Sequence, residues 1–261
     1  MKNEKYSLEI HNLKKIIDGN VILNDINAHF KSKEVSVIIG PSGIGKSVLL
    51  KCILQLINKD GGEINFNDIN HDKSGDNATA SIGMLSQSPI LYMNKTVYEN
   101  VKFSLDLYPD FKNVDKDKIV KHCLKQVKIN KEDYNKYPLE LSGGMQKKLG
   151  LAIAIVYKPK YLFCDEHDSG LDPENAVSIN QLIKEITIKN KMTTVIVSHN
   201  LETLINIGKH VIFLDKTSEG TETLWEGDTN EMIYAQNPNL EKFLSANSLY
   251  NKYKENLINN K

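Results

Sequence analysis

Arginine is absent from this 261-residue chain, and all 33 of its basic residues are lysine. Phosphate or carboxylate groups must therefore be met by lysine or by backbone N–H groups, because no planar guanidinium fork is available. Cysteine is scarce as well. Cys52, Cys123 and Cys164 form neither a close pair nor a metal-ligand spacing, which excludes a disulfide scaffold and a zinc finger and points to a reducing compartment. Net charge is missing too, since the 33 lysines balance 33 acidic residues. No overall field draws the chain to nucleic acid, and no nucleic-acid partner is expected. No run of about 18 apolar residues occurs, and the opening MKNEKYSLEIHNLKK lacks an apolar signal core of roughly 7–15 residues. The chain is expected neither to span a membrane nor to be secreted, so a membrane role has to come through a partner. With 40% hydrophobic and 25% charged residues, the composition is that of an ordinary folded domain.

Residues about 7–30 alternate apolar and polar around DGN, which predicts strands joined by a turn at an antiparallel edge. Val35–Gly40 is a short, continuous apolar strand running into a glycine-rich turn, and KSVLLKCILQLI predicts a helix directly after it. A further exposed strand follows in KDGGEINFNDIN, then a polar loop over 70–80 and the short strand SIGML. From about Thr96 to Lys158 the apolar spacing is helical. Strands then resume with KYLFCDE, MTTVIVSH and HVIFLD, with a helix over about Pro173–Asn190 between the first two. This alternation predicts an α/β fold, a mainly parallel sheet with helices on both faces and an antiparallel β edge, whose ligands sit beyond the carboxyl ends of the strands. The expected division is an α/β core over about 1–90 and 158–230, a helical subdomain over about 91–157, and a helical tail over 231–261.

Three motifs carry chemistry. Gly40-Pro41-Ser42-Gly43-Ile44-Gly45-Lys46-Ser47 matches G-x-x-x-x-G-K-[ST] between a strand and a helix. Its glycines let the backbone wrap a phosphate, Lys46 would reach the β- and γ-phosphates, and the Ser47 hydroxyl would face Mg²⁺, with Val48 just inside the helix. The strand YLFCDE delivers Asp165, a Mg²⁺-site carboxylate, and Glu166, a general base for an attacking water, to the edge of the sheet. Finally, Ser142, Gly143, Gly144 and Gln146, in LSGGMQ, mark a second glycine-rich helix start.

In this order the motifs resemble those of the ATP-binding-cassette (ABC) ATPases, and the resemblance runs from about Leu8 to Asp228. It implies a P-loop ATPase that binds ATP and Mg²⁺ and works as a head-to-tail dimer of identical subunits, in which LSGGMQ of one copy meets the γ-phosphate held by the other. It implies that Gln87 acts in the Q-loop beside Mg²⁺ and as a link to the helical lobe. It implies that Ser169 and Asp172 lie in a loop crossing the dimer interface, and that His199 is a switch near the γ-phosphate. Membrane permease subunits are the implied partners, at the cytoplasmic face of a bacterial inner membrane. Within the family, SGGMQKK, SGLDP and QSPILYMNKTVYENVKFSL look most like the ATPases of Mla-type phospholipid systems, which work with Mce-type lipid-binding proteins. Amino-acid importers look similar. A soluble or regulatory ATP-binding subunit with little hydrolysis is the further alternative.

The chain departs from the family pattern at four places. Ile17 stands where an aromatic side chain normally stacks on adenine, His167 where Pro follows the catalytic Glu, Lys33 where a turn Gly is usual, and Lys147 with Lys148 where Arg is common. An aliphatic Ile17 offers contact without π-stacking, an interaction worth about 1–3 kcal/mol per base. Ile17→Tyr is expected to tighten ATP binding roughly tenfold, as measured by titration with a fluorescent ATP analogue.

Overall fold

The computed structural model describes residues 6–67, 81–247, 250–252 and 254; the polar loop expected over 70–80 and the last part of the tail lie outside them. The chain forms two compact units, residues 1–68 with 193–261 and residues 69–192.

The first unit opens with the antiparallel hairpin of β1 (Tyr6–Ile17) and β2 (Asn20–Lys31), turning at Asp18 and Gly19, both with positive φ. Two left-handed residues at a tight turn match the right-handed twist of the strands, which is why Asp-Gly sits there. Alternation along β2 buries Leu23, Ile26, Ala28 and Phe30, and β4 (Gly61–Phe66) pairs antiparallel with β1. The antiparallel edge is thus where the alternation placed it. All five residues of β3 (Val35–Ile39) are buried, as a strand with neighbours on both sides requires. It runs parallel to β7 (Thr193–Val197) and to β8 (His210–Lys216). Along this unit the strand order is β4-β1-β2-β9-β8-β3-β7, where β9 is Thr221–Asp228. Helices α1 (Lys46–Ile53), α6 (Leu201–Ile207) and α7 (Pro238–Ser245) complete it.

The second unit contains the parallel pair β5 (Ile82–Leu85) and β6 (Tyr161–Asp165). Four helices accompany it: α2 (Val97–Asp106), α3 (Lys116–Gln126), α4 (Gly143–Ile155) and α5 (Pro173–Asn190). Each begins on a side-chain cap, from Thr96, Asp115, Ser142 and Asp172 in turn, which satisfies amides that have no partner within the helix.

Three features differ from the sequence-based expectation. Helix α1 stops at Ile53 instead of running on to Ile57, because Gln55 turns left-handed at φ 56°. The Gln55 and Leu56 amides then close back on the carbonyls of Cys52 and Lys51, a Schellman ending that usually takes Gly. Strand β9 and helix α6 were not anticipated. The tail begins with a 3-10 turn over Met232–Tyr234 before α7.

Strand β9 joins β2 through a single ladder pair, Leu23 with Thr221, and side chains reinforce that seam. Glu226 accepts from the His29 amide at 2.9 Å and meets His29 Nδ1 at 3.1 Å and His210 Nε2 at 3.3 Å. Burial pushes its carboxyl up, but the hydrogen bonds from His210 and His29 outweigh that and hold it below the usual carboxylate value of 4.5. A depressed folded-state pKa stabilises above the unfolded value and is lost as pH falls through the folded one. Glu226→Gln should therefore lower stability by about 1 kcal/mol near neutral pH. The deficit should shrink below about pH 4.5, as read from urea midpoints across that range.

Candidate functional site

In the first unit the strand-loop-helix turn from β3 into α1 carries the phosphate motif. An added Cβ on Gly40 would lie 2.3 Å from the Leu214 carbonyl oxygen, so the loop leaves the sheet where only Gly fits beside β8. Gly45 adopts φ 107° directly before α1, a conformation that L side chains rarely adopt. The helix thus starts with its first amides directed at the loop. Ser42 and Gly43 are exposed, Pro41, Ser47 and Val48 half-buried and Ile44 buried. Lys46 is buried, and its ammonium donates to the Gly40 and Pro41 carbonyls at 2.8 Å each. Those bonds seat the cation in the concavity of the loop, where an incoming phosphate would exchange for carbonyl oxygens. His199 lies exposed, two residues past Val197, whose ladder partner is Ile38. Gly40 and His199 therefore leave neighbouring parallel strands at the same carboxyl edge.

A residue missed by sequence reasoning holds this loop. The Thr221 hydroxyl, buried at the start of β9, donates to the Ile44 carbonyl at 2.6 Å. With 177 positions between donor and acceptor, no local pattern could reveal it. Ile17 is the last residue of β1, beside the hairpin turn, with its side chain exposed.

The second unit repeats the arrangement. Leu85 pairs with Cys164, so Gln87 and Glu166, each two residues further on, leave β5 and β6 at one carboxyl edge. Asp165 ends β6, half-buried like Glu166. Glu166 holds φ 43°, a left-handed backbone costing about 1 kcal/mol for an L residue, and strain of this kind concentrates at functional sites. The Gln87 side-chain amide donates to Ser169 Oγ at 3.2 Å, and the Ser169 amide to the Glu166 carbonyl at 3.0 Å. Lys147, on α4, donates its ammonium to the Gln87 carbonyl. Burial pushes the Lys147 ammonium down from its ordinary value, opposed by Asp168. Charge was expected at Lys147, but not this use of it as a strut between α4 and the Gln87 loop.

Ser142 is exposed and caps α4, its Oγ accepting from the Met145 amide at 3.4 Å, and exposed Gly143 follows while Gly144 is buried. Gln146 donates its amide to the Pro138 and Leu141 carbonyls, at 3.0 and 3.4 Å, and so braces the loop before α4. Asp172 caps α5 through the Asn175 amide and side chain, at 3.0 and 2.6 Å. Those two bonds hold its carboxyl below the usual range. Each unit thus presents one exposed glycine-rich helix start, a place where amides and the helix dipole favour an anion.

Replacing Thr221 by Val strands a buried carbonyl and should reduce stability by about 1–3 kcal/mol while weakening ATP binding. Thr221→Ser should restore both, as measured by thermal unfolding and nucleotide titration.

The description "ABC transporter" belongs to the family model that matches residues 23–169. Among curated proteins, the chain is 32% identical over 247 residues to the methionine import ATP-binding protein MetN of Clostridium tetani, covering 93% of this chain and 76% of that one. It is 35% identical over 209 residues to the probable ribonucleotide transport ATP-binding protein mkl of Mycobacterium tuberculosis, covering 78% and 57%. Among solved structures it resembles cbiO1 of Clostridium perfringens, part of the ABC transporter complex cbiONQ, with a TM-score of 0.78, 26% identity and coverage of 97% and 98%. A dimeric post-hydrolysis state of the cassette MJ0796 bound to ADP and Pi matches with a TM-score of 0.71 and 26% identity, covering 85% and 98%. The α/β nucleotide-binding fold, the phosphate loop and these relatives agree, and the chain belongs to the ABC transporter family as one of its ATP-hydrolysing cassettes.

Proposed function

We propose that two copies of this chain clasp ATP head to tail, the Lys46 loop of one copy facing the Ser142 loop of the other. One observation carries this: each compact unit exposes a glycine-rich helix N-terminus, and a triphosphate needs positive partners on more than one side. Relatives solved as dimers agree with it. Gly40–Val48 hold the phosphates, and Ile17 borders the base. Ser47, Gln87 and Asp165 offer hydroxyl, amide and carboxylate oxygens, a hard donor set that suits Mg²⁺. No group of three His, Cys, Asp or Glu that could hold a metal occurs among the described residues. When bound, the ion would neutralise developing charge on the β- and γ-oxygens. Glu166 orients and deprotonates the attacking water, and His199 faces the γ-phosphate. Ser169 and Asp172 lie at the meeting of the copies, and the Gln87 loop passes closure to the helical subdomain over about 91–157.

No helix among the described residues is long and apolar enough to cross a membrane. The motion is delivered to permease subunits, at the cytoplasmic face of a bacterial inner membrane, a reading supported by the similarity to ATP-binding proteins of transport systems. The cargo reading favoured by the SGGMQKK and QSPILYMNKTVYENVKFSL segments is phospholipid, with a Mce-type protein as a further partner. A second reading, import of an amino acid, is favoured by similarity to methionine importers. Identifying the permease copurified from membranes separates the two. For the ATPase, Glu166→Gln should leave ATP affinity unchanged and lower turnover by about 10²–10⁴-fold. Equal rates in a phosphate-release assay would refute the assignment of the base.

A further inference from the structure

His167, directly after Glu166, is fully buried. Its Nε2 lies 2.6 Å from Oδ1 of Asn180 on α5, itself buried. An amide oxygen only accepts, so the ring donates from Nε2 and its proton sits there. The other ring nitrogen, Nδ1, is buried with no hydrogen-bond partner. The ring is thus oriented by a single polar contact, and that contact reaches back to the helix packed behind the turn. Glu166 itself stays left-handed at φ 43°, a backbone state that persists only where surroundings impose it. On its far side the turn is closed by the Ser169 amide on the Glu166 carbonyl at 3.0 Å. Without an anchor at position 167, relaxation of the turn would re-aim the carboxylate.

We propose that the His167–Asn180 hydrogen bond is a positioning device that fixes the direction of the Glu166 carboxylate and so sets the hydrolytic rate while leaving nucleotide affinity alone. This rests on Glu166 being the general base. A misplacement of about 1 Å at a reacting group is enough to lose on the order of 10²-fold in rate.

The test compares kcat and KM for ATP in the full chain and its variants, each checked for folding by thermal unfolding. Asn180→Leu should lower kcat at least about tenfold with KM within roughly twofold of the parent. Asn180→Ser, which leaves room for water and guards against misfolding of the Leu variant, should lose kcat in the same way. His167→Gln places an amide N–H near the position of ring Nε2 and should keep kcat within about threefold. Parental kcat in a folded Asn180 variant, a rise in KM matching the fall in kcat, or failure of His167→Gln to keep the rate would overturn the proposal. Glu166→Gln is measured beside them. If it is inactive while the Asn180 variants turn over normally, only the positioning role falls; if it hydrolyses ATP at the parental rate, the role of Glu166 falls with it.

Discussion

A chain without arginine must hold a polyanion with backbone amides and lysine, and two of its helices begin at glycine-rich turns that gather such amides. Both exposed glycine-rich turns sit at helix N-termini, where about half a positive charge gathers without any ionised side chain. Gly45 and Ser142 reach that geometry by different routes. Gly45 uses a left-handed backbone and no side-chain cap, which leaves the amides of α1 facing the loop. Ser142 keeps an extended backbone and caps α4 with a 3.4 Å contact, a length at the weak end for such bonds.

Within each unit, parallel strands carry further polar groups out at one carboxyl edge. In the first, the parallel ladders of β3 with β7 and β8 carry Gly40 and His199 out at one edge. In the second, the ladder of β5 with β6 does the same for Gln87 and Glu166. In the first unit β3 and β7 are buried along their whole length, which holds the placement firm, because sliding one strand by a residue would turn apolar side chains away from the core. Loops at strand ends remain free to differ in chemistry, and here they are tied by side chains: Thr221 to Ile44, Lys147 to Gln87, Gln87 to Ser169.

Most of the fold was legible because its signals are local. The Asp18-Gly19 turn, the apolar run over Val35–Ile39 and the helix over Pro173–Asn190 each declare themselves within a few residues. The end of α1 was not legible, since Gln55 takes a left-handed position that Gly normally marks. Strand β9 escaped because its sequence, TETLWEGD, shows no regular apolar-polar alternation, and its middle six positions are all half-buried.

By itself, the sequence determined the phosphate motif, the acidic end of YLFCDE, the LSGGMQ turn and their order, because each needs particular residue types at contiguous positions. Only the tertiary structure decided which distant groups hold those motifs. Thr221 and Asn180 act across 177 and 13 positions, and a hydrogen bond depends on where atoms meet in space, which no contiguous pattern records.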